Sequence, residues 1–512
     1  MVNICGLHGS SKALVFSLLF RETRKSFIFI TSTTEEAKHA FRDFSFFLGE
    51  DTVHLFPAWD MISPEDSLSC QRDISAKRMT VLLNLFLSKK IVVVVPLEAF
   101  VQKVVPVEIL GDYAEKVAIG DSMERDAFLE KLIAGGYRRV PLVEEAGEFS
   151  VRGYIIDIYS PFLSHPVRLE FIGDEIESIR SFDPVSQRSI QEIEDFVLSP
   201  AGEQIMSAST TKCALKNLRR RLQQISVPSL RRERLIDMLA NDITSFVNLQ
   251  TMPLLYGDFD SDKKNGLDTI FDYISRGSVI VYNDFRTMAR SEDRISHETD
   301  LFLLKSQEQR KFFLEKELFS TSLNDLVEKG RQFSTVYIDD FDDNGEETIH
   351  FRTEKNVGLK QDPRLLKKGN SLLAPFTSRI NDWMTGGNLV AFLCGEEETQ
   401  RMAHLLEGHS LPAERSSALL LTELEGNGGA GRLLLKTGKI TEGFAYPSLR
   451  LVLVSEEEIF GKKKKRREKT RTSEGYFLKS FGELKEGDYV VHVDHGIGIY
   501  RELKRMAISN IE

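Results

Sequence analysis

The chain has 512 residues, which is enough for roughly three or four domains of ordinary size. Its 67 basic and 77 acidic side chains give a formal net charge of −10, so no overall positive field indicates nucleic-acid binding, and any such contact has to be local. The four cysteines lie far apart and form no C-x-x-C pair, which argues against a zinc site or a disulfide framework and favours a reducing compartment.

The chain opens on a glycine-containing turn that precedes an apolar helical pattern. Gly6 and Lys12 have the spacing of the G-x-x-x-x-G-K-[ST] loop, in which backbone amides and a lysine hold phosphates and a hydroxyl holds Mg²⁺. Ser11 replaces the second glycine and Ala13 replaces the hydroxyl residue, so the metal ligand is lost. We predict a vestigial nucleotide loop without hydrolysis, comprising Gly6, Gly9, Ser11, Lys12 and Ala13. The alternative is a Gly/Ser turn before a buried helix.

The next segments alternate between buried strands and helices. Residues 27–30 and 91–95 are short apolar runs of the kind found in strands buried on both faces of a parallel sheet. Helical patterns at 34–48 and 75–87 lie between them. Strand, helix and strand after a glycine loop predict an α/β domain of the nucleotide-binding type. Between the helices, the loop around Trp59 is predicted to contribute packing rather than chemistry.

A different pattern begins near Gly135 and predicts an inserted, mainly antiparallel β domain. The strand-like runs are Val151–Tyr159, Val167–Ile172 and Glu175–Phe182. In the second run, period two sends Arg168, Glu170 and Ile172 to the face opposite Val167, Leu169 and Phe171. An apolar residue beside charges on a solvent face favours a protein partner. The alternative is an ordinary strand with one exposed isoleucine.

The same region contains five short motifs in close succession. They are Gly136-Tyr137-Arg138, Gly147 to Gly153, Asp157-Ile158-Tyr159, Arg168 to Phe171, and Ser181 to Pro184. In order and spacing they resemble the inserted domain of the excision-repair protein UvrB and of its relatives, the transcription-repair coupling factors. The resemblance implies docking on UvrA, the damage-recognition ATPase, through Arg152 and Arg168. Ile172 occupies a position where some relatives carry an aromatic residue, and we add it to this predicted site.

The second half of the α/β body also lacks a residue that would bind Mg²⁺. The strand at 277–284 ends in Asn283 and Asp284, where an Asp-Glu pair would hold Mg²⁺ and orient water. An asparagine has lower charge and a weaker affinity for a hard cation than a carboxylate. We therefore add Asn283 and Asp284 to the vestigial nucleotide loop. The intact loop and the aromatic hairpin of UvrB itself are missing, which favours the coupling factors.

Two further clusters contain residue types that bind metals, but neither has a pattern that predicts a metal site. The acidic run that begins at Asp339 is more typical of a solvated loop. His492, Asp494 and His495 lie in one stretch, but neighbouring strand residues point to opposite faces. We predict no metal site in the chain.

The last part of the chain predicts a small α/β domain, a basic linker and a second family resemblance. Leu389–Leu393 and Leu451–Val454 read as buried strands, and six consecutive basic residues follow at 462–467. Leu484 to Tyr500 resembles the opening of the CarD-like domain that binds the RNA polymerase β subunit, with Gly496 and Gly498 predicted in a turn. The resemblance implies that Met506 is a polymerase contact and that the chain ends inside this domain.

The predicted fold class is α/β and multidomain, with a degenerate P-loop, RecA-like UvrB-type body, an inserted mainly antiparallel β domain, a small α/β domain and the start of a small β-barrel. The predicted boundaries are 1–110 and 200–360 for the two parts of the body, 111–199 for the inserted UvrA-binding domain, 370–461 for the small domain, 462–480 for the linker and 481–512 for the CarD-like start.

The resemblance to transcription-repair coupling factors implies a recruitment module without catalysis or cofactor of its own. ATP and Mg²⁺ would act in motor domains outside this chain, and DNA would be contacted mainly through them. The expected partners are UvrA and the RNA polymerase β subunit. Apolar runs are short and no signal sequence is evident, so we expect a cytoplasmic protein without membrane contact. Two alternatives stay open: a UvrB-type helicase subunit, and a CarD-like transcription regulator with an unrelated N-terminal half.

Overall fold

The computed structural model describes residues 2–60, 72–241, 248–257, 266–339, 348–356, 359, 374–408, 411–416, 419–425, 431–460, 489–492 and 496–499. They fall into two compact units, Met1–Ile459 and Phe460–Glu512. The first unit is a mixed α/β structure built on several sheets. Within these described ranges, no helix is both long enough and apolar enough to cross a membrane.

A seven-stranded parallel sheet forms the body of the first unit. Its strands are β1 (Val2–Cys5), β2 (Phe27–Thr31), β3 (Val53–Leu55), β4 (Val92–Pro96), β13 (Val279–Asn283), β14 (Ser334–Ile338) and β15 (Thr348–His350). They lie in the order β15-β1-β14-β13-β2-β4-β3. The helices between them are α1 (Ser11–Thr23), α2 (Thr34–Leu48), α3 (Arg72–Phe86), α4 (Leu97–Phe100), α10 (Ile270–Tyr273), α11 (Phe285–Glu308), α12 (Lys316–Phe319) and α13 (Leu323–Gly330).

The central strands of this sheet are buried on both faces, as their continuous apolar sequence predicts. Ile28 and Ile30 of β2 pack into one core, whereas Phe27 and Phe29 pack into the other. The same alternation divides β4 between the two cores. Because side chains of a strand alternate between faces, a run such as Phe27 to Ile30 can only be apolar throughout if both faces of the sheet are covered.

The inserted segment folds as a six-stranded sheet beside a two-stranded ribbon. The ribbon pairs β5 (Glu115–Ala118) with β12 (Asp195–Leu198), and α5 (Val107–Tyr113) and α6 (Arg125–Ala134) flank β5 along the chain. The sheet has the order β11-β10-β9-β8-β7-β6, from β6 (Arg138–Arg139), β7 (Glu148–Arg152), β8 (Ile155–Tyr159), β9 (Val167–Ile172), β10 (Glu175–Phe182) and β11 (Ser189–Glu192). All pairs except β6–β7 are antiparallel.

One strand prediction in this domain is wrong. Val151–Tyr159 is not a single strand, because Gly153 (φ +60°) and Tyr154 turn the chain between β7 and β8. A positive φ is readily adopted by glycine, so the hairpin can close within two residues. The alternation in β9 is as predicted, with Val167, Leu169 and Phe171 in the core.

Three helices, α7 (Ala208–Gln224), α8 (Ser229–Asn241) and α9 (Met252–Tyr256), enclose a separate apolar cluster. Leu218 and Leu222 are buried in it as their spacing predicts. Leu215, Leu218, Leu222 and Ile225 recur at helical spacing, so the sequence predicts that Arg219 to Arg221 lie outside, on the solvent face. For Arg221 this prediction is wrong. Its guanidinium is buried over the Phe313 ring, and its Nε donates to the Phe313 carbonyl at 3.1 Å, because a long side chain can cover apolar surface while its charge finds polar partners.

The smaller sheet of the first unit has the order β16-β20-β21-β17-β19-β18. Its strands are β16 (Glu354–Lys355), β17 (Leu389–Cys394), β18 (Glu414–Arg415), β19 (Leu433–Thr437), β20 (Phe444–Tyr446) and β21 (Leu451–Ser455). The four strands β21, β17, β19 and β18 run parallel, whereas β20 and β16 are antiparallel to their neighbours. The accompanying helices are α14 (Ala374–Thr385), α15 (Glu396–Gly408), α16 (Leu420–Glu425) and α17 (Glu456–Phe460).

The second unit contains an antiparallel pair formed by β22 (Tyr489–His492) and β23 (Gly496–Ile499). The prediction that Gly496 and Gly498 lie in a turn is wrong, because both residues lie within β23 and pair with His492 and Val490. Met506 and the basic run 462–467 lie outside the described residues.

Candidate functional site

The loop between β1 and α1 has the backbone shape that its glycines predict. Gly6 adopts φ +78° and Gly9 φ +55°, a region that residues other than glycine rarely occupy. A Cβ at Gly6 would lie 2.0 Å from the carbonyl oxygen of Phe351, so only glycine allows this close approach. The loop is therefore a tight turn pressed against the segment that follows β15.

Three amides of this loop donate hydrogen bonds within the chain itself. The His8 amide donates to the Thr353 hydroxyl at 2.8 Å, and the Ser10 amide donates to the Glu442 carbonyl at 3.1 Å. The Ser11 amide donates back to the His8 carbonyl at 3.2 Å. Phosphate binding at such loops depends on amides that point at the ligand. Thr353 and Glu442, which lie far along the sequence, therefore accept hydrogen bonds from amides that a phosphate would need.

Lys12, Asn283 and Asp284 also form hydrogen bonds within the chain. Lys12 Nζ donates to Asn283 Oδ1 at 3.0 Å, so the side chain that would neutralise phosphate is joined to the one that replaces the metal ligand. Asp284 instead caps α11, accepting from the Thr287 amide at 3.1 Å and hydroxyl at 2.7 Å. Ala13 is buried and offers no oxygen. These residues do not fit a magnesium–nucleotide site.

A buried carboxylate ties the loop to the smaller sheet. Asp43 of α2 accepts from the Ser10 hydroxyl at 2.7 Å and from both the amide (2.7 Å) and hydroxyl (2.9 Å) of Thr441. Burial raises the pKa of Asp43 to about 6, and these hydrogen bonds, with nearby Arg42, offset only part of the rise. Asp43 therefore forms a structural joint between the loop and the smaller sheet.

The exposed face of the inserted domain holds the residues predicted to dock a partner. Arg168 of β9 bonds the buried Asp157 of β8 with two nitrogens, Nε–Oδ1 at 2.7 Å and Nη2–Oδ2 at 3.0 Å, and lies 4.7 Å from the centre of the Phe182 ring. Arg152 of β7 reaches the same carboxylate. The two arginines differ in accessibility, since the Arg152 side chain is 48% exposed and that of Arg168 only 17%. Asp157 thus orients both guanidinium groups.

The charged row continues across the sheet through residues that sequence reasoning missed. Arg168 lies opposite Arg180 in the β9–β10 register, and Arg180 bonds Glu170 at 3.2 Å and Glu192 at 3.5 Å. Such cross-strand pairs could be predicted only after the register was known. The face is therefore a network of alternating charges.

Two apolar side chains stand at one end of this face. Ile172, at the end of β9, is 64% exposed, and Tyr154, in the β7–β8 turn, is 68% exposed. β8 and β9 are neighbours, so both residues lie at the same end of the sheet. Exposed apolar residues beside oriented charges are typical of a protein interface. The sequence predicted Ile172, whereas Tyr154 was missed because its turn was read as strand.

A second buried ion pair fastens the inserted domain to the body. Arg78 of α3 and Glu203, which follows β12, are completely buried and bond through Nε and Oε2 at 2.6 Å. The Trp59 indole nitrogen donates to the same Glu203 oxygen at 2.6 Å. The prediction that the Trp59 loop contributes packing agrees with its burial.

Comparison with known families identifies the class of protein. Residues 116–203, most of the inserted domain, match the family described as UvrB interaction domain. Residues 484–512 match the CarD-like/TRCF RID domain. The chain is thus a multidomain α/β protein that combines a UvrB interaction domain with a CarD-like segment.

Transcription-repair-coupling factors are homologous to almost the whole chain. The protein of that name from Myxococcus xanthus is 28% identical over 526 residues, covering 99% of this chain and 43% of the relative. The Bacillus subtilis protein is 26% identical over 521 residues, covering 99% and 42%. The resemblance to coupling factors is confirmed, and the homology of the N-terminal half argues against an unrelated CarD-like regulator. The chain spans about two fifths of the length of these curated relatives.

Proposed function

We propose that this chain is a recruitment module that docks UvrA through the face around Arg152, Arg168 and Ile172. The match to a UvrB interaction domain supports the position of the face. The observation that carries the proposal is the exposed pair Tyr154 and Ile172 beside two arginines held by one buried carboxylate.

The geometry suits a charged partner surface. Asp157 fixes the two guanidinium groups before binding, which reduces the side-chain entropy lost on association. Arg152 remains half exposed and keeps donors for a partner carboxylate or carbonyl, while Tyr154 and Ile172 supply apolar area that a partner can cover. A carboxylate-rimmed apolar pocket on UvrA would complement this face.

The wider role follows from the coupling-factor relatives. In a complete protein of this kind, an ATP-driven DNA translocase would push a stalled RNA polymerase forward, the CarD-like segment would hold the polymerase β subunit, and this module would bring UvrA to the lesion. Most DNA contacts would belong to the translocase, and the protein would act in the cytoplasm. The internal hydrogen bonds of the loop and of Lys12 support a purely structural role for the first sheet, without ATP turnover of its own.

The test is a calorimetric titration of UvrA from the same organism with two apolar-to-acidic variants. Ile172→Asp places a carboxylate in the docking face and should weaken binding by about 1–3 kcal/mol. Val185→Asp is the matched control, since Val185 is an exposed apolar residue in the β10–β11 turn at the opposite end of the same sheet. Equal affinities of wild type and Ile172→Asp would overturn the assignment.

A further inference from the structure

A cavity of about 820 Å³ lies between α2 and the smaller sheet. Its floor is formed by the carboxyl ends of β18 and β19, with Arg415 and Ser416 on one side and Leu435 to Lys439 on the other. The volume is in the range of small-ligand pockets. Open α/β sheets bind ligands outside the carboxyl ends of their strands, which is where this cavity opens.

The walls are strongly basic. Arg42, Arg415, Lys436 and Lys439 line the cavity, whereas Glu50 is the single carboxylate among the described lining residues. The chain as a whole carries −10, so this concentration of positive charge is local. Several cationic side chains around one concave, partly buried site attract an anionic ligand.

The polar groups of the cavity are held in place, and two lack partners. Lys436 is buried, with Nζ 3.2 Å from the Ser416 hydroxyl and 3.3 Å from its carbonyl; burial lowers its pKa, and Glu423 nearby opposes this. Arg42 donates to Thr441 through Nη2 at 2.9 Å. Its buried Nε, like the buried Ser45 hydroxyl, has no hydrogen-bond partner among the residues that the structure describes.

Apolar side chains complete the walls. Phe41 and Phe46 of α2 line one side, and Leu419 and Leu420 line the other. Guanidinium, ammonium and hydroxyl donors match phosphate oxygens, and apolar walls match a flat ring system. We propose that this cavity binds a small phosphorylated ligand of the mononucleotide class, at a site separate from the vestigial loop around Lys12.

The test is calorimetric titration of the full chain with ADP, adenosine and pyrophosphate at constant ionic strength. ADP should bind, pyrophosphate should bind more weakly, and adenosine should not bind. Arg415 is exposed at a strand end, so Arg415→Ala should fold normally and weaken ADP by about tenfold or more, the effect of one charge-assisted hydrogen bond. Lys38→Ala is the matched control, because Lys38 lies on α2, which forms one wall of the cavity, is 60% exposed and does not line the cavity itself.

Hydrogen–deuterium exchange with and without ADP locates the ligand. Protection of residues 41–46 and 435–439 is the expected result. Absence of ADP binding would overturn the proposal, as would binding that Lys12→Ala abolishes and Arg415→Ala leaves intact. Pyrophosphate binding as tight as that of ADP would overturn the assignment to the mononucleotide class.

Discussion

The stability of the joint that Asp43 forms between the loop and the smaller sheet should depend on pH, because the pKa of this carboxyl differs between the folded and the unfolded chain. The folded-state pKa of about 6 is above the usual value of 3.8, so between these two values the folded chain holds a proton that the unfolded chain has released. Stability of the joint therefore falls as pH rises from about 4 to about 6 and is constant above that window. A difference of about two pKa units corresponds to about 3 kcal/mol. Asp43→Asn removes the titration and keeps an acceptor for Ser10 or Thr441.

Hydrogen–deuterium exchange of the segment around Thr441 measures this effect locally. At each pH, exchange in wild type is compared with that in Asp43→Asn, so that the intrinsic pH dependence of exchange cancels. The free energy of opening in wild type should fall relative to the variant by up to about 3 kcal/mol between pH 4 and pH 7. The control Asp51→Asn, at an exposed carboxylate after the same helix, keeps Asp43 and should show the same fall relative to Asp43→Asn as wild type does. A constant difference between wild type and Asp43→Asn across this range would refute the reasoning.

Three further outcomes follow from the same contacts. ATP turnover by the chain should stay at background and be the same in Lys12→Ala, because three loop amides and Lys12 are engaged internally; turnover lost in that variant would contradict this. Glu203→Gln should lower the free energy of unfolding by about 3–5 kcal/mol in urea titrations, since Arg78 would keep a buried charge without a counter-ion, and an unchanged midpoint would argue against the ion pair. Arg168→Glu should lower the melting temperature of the inserted domain as well as UvrA affinity, because it sets a second carboxylate beside buried Asp157; unchanged melting would show that Arg168 acts only at the interface.

Local patterns predicted much of the fold. The helix Thr34–Leu48 has its predicted bounds because Thr33 caps its first turn and Gly49 follows its last residue. The faces of β9 follow from period two alone. Both signals lie within a few residues of the element that they specify.

Contacts between distant segments were not predictable from the sequence. Thr353 and Glu442 accept hydrogen bonds from two loop amides more than three hundred residues away, and nothing in the motif at Gly6 marks them. The missing metal ligand at Ala13 could be predicted from the motif alone. The hydrogen bond between Lys12 and Asn283 could not, because these residues meet only in the folded sheet. Arg221 was misread for the same reason, because its partners Phe313 and Glu315 lie far along the chain.

Exchange mapping of the UvrA complex tests the central claim most directly. Amide exchange is followed in the full chain with and without UvrA, over the two hairpin ends at 150–156 and 168–174. The account predicts protection of both segments on binding, with the turn at 183–187 unchanged. Protection of 183–187 instead, or of neither hairpin end, would contradict it.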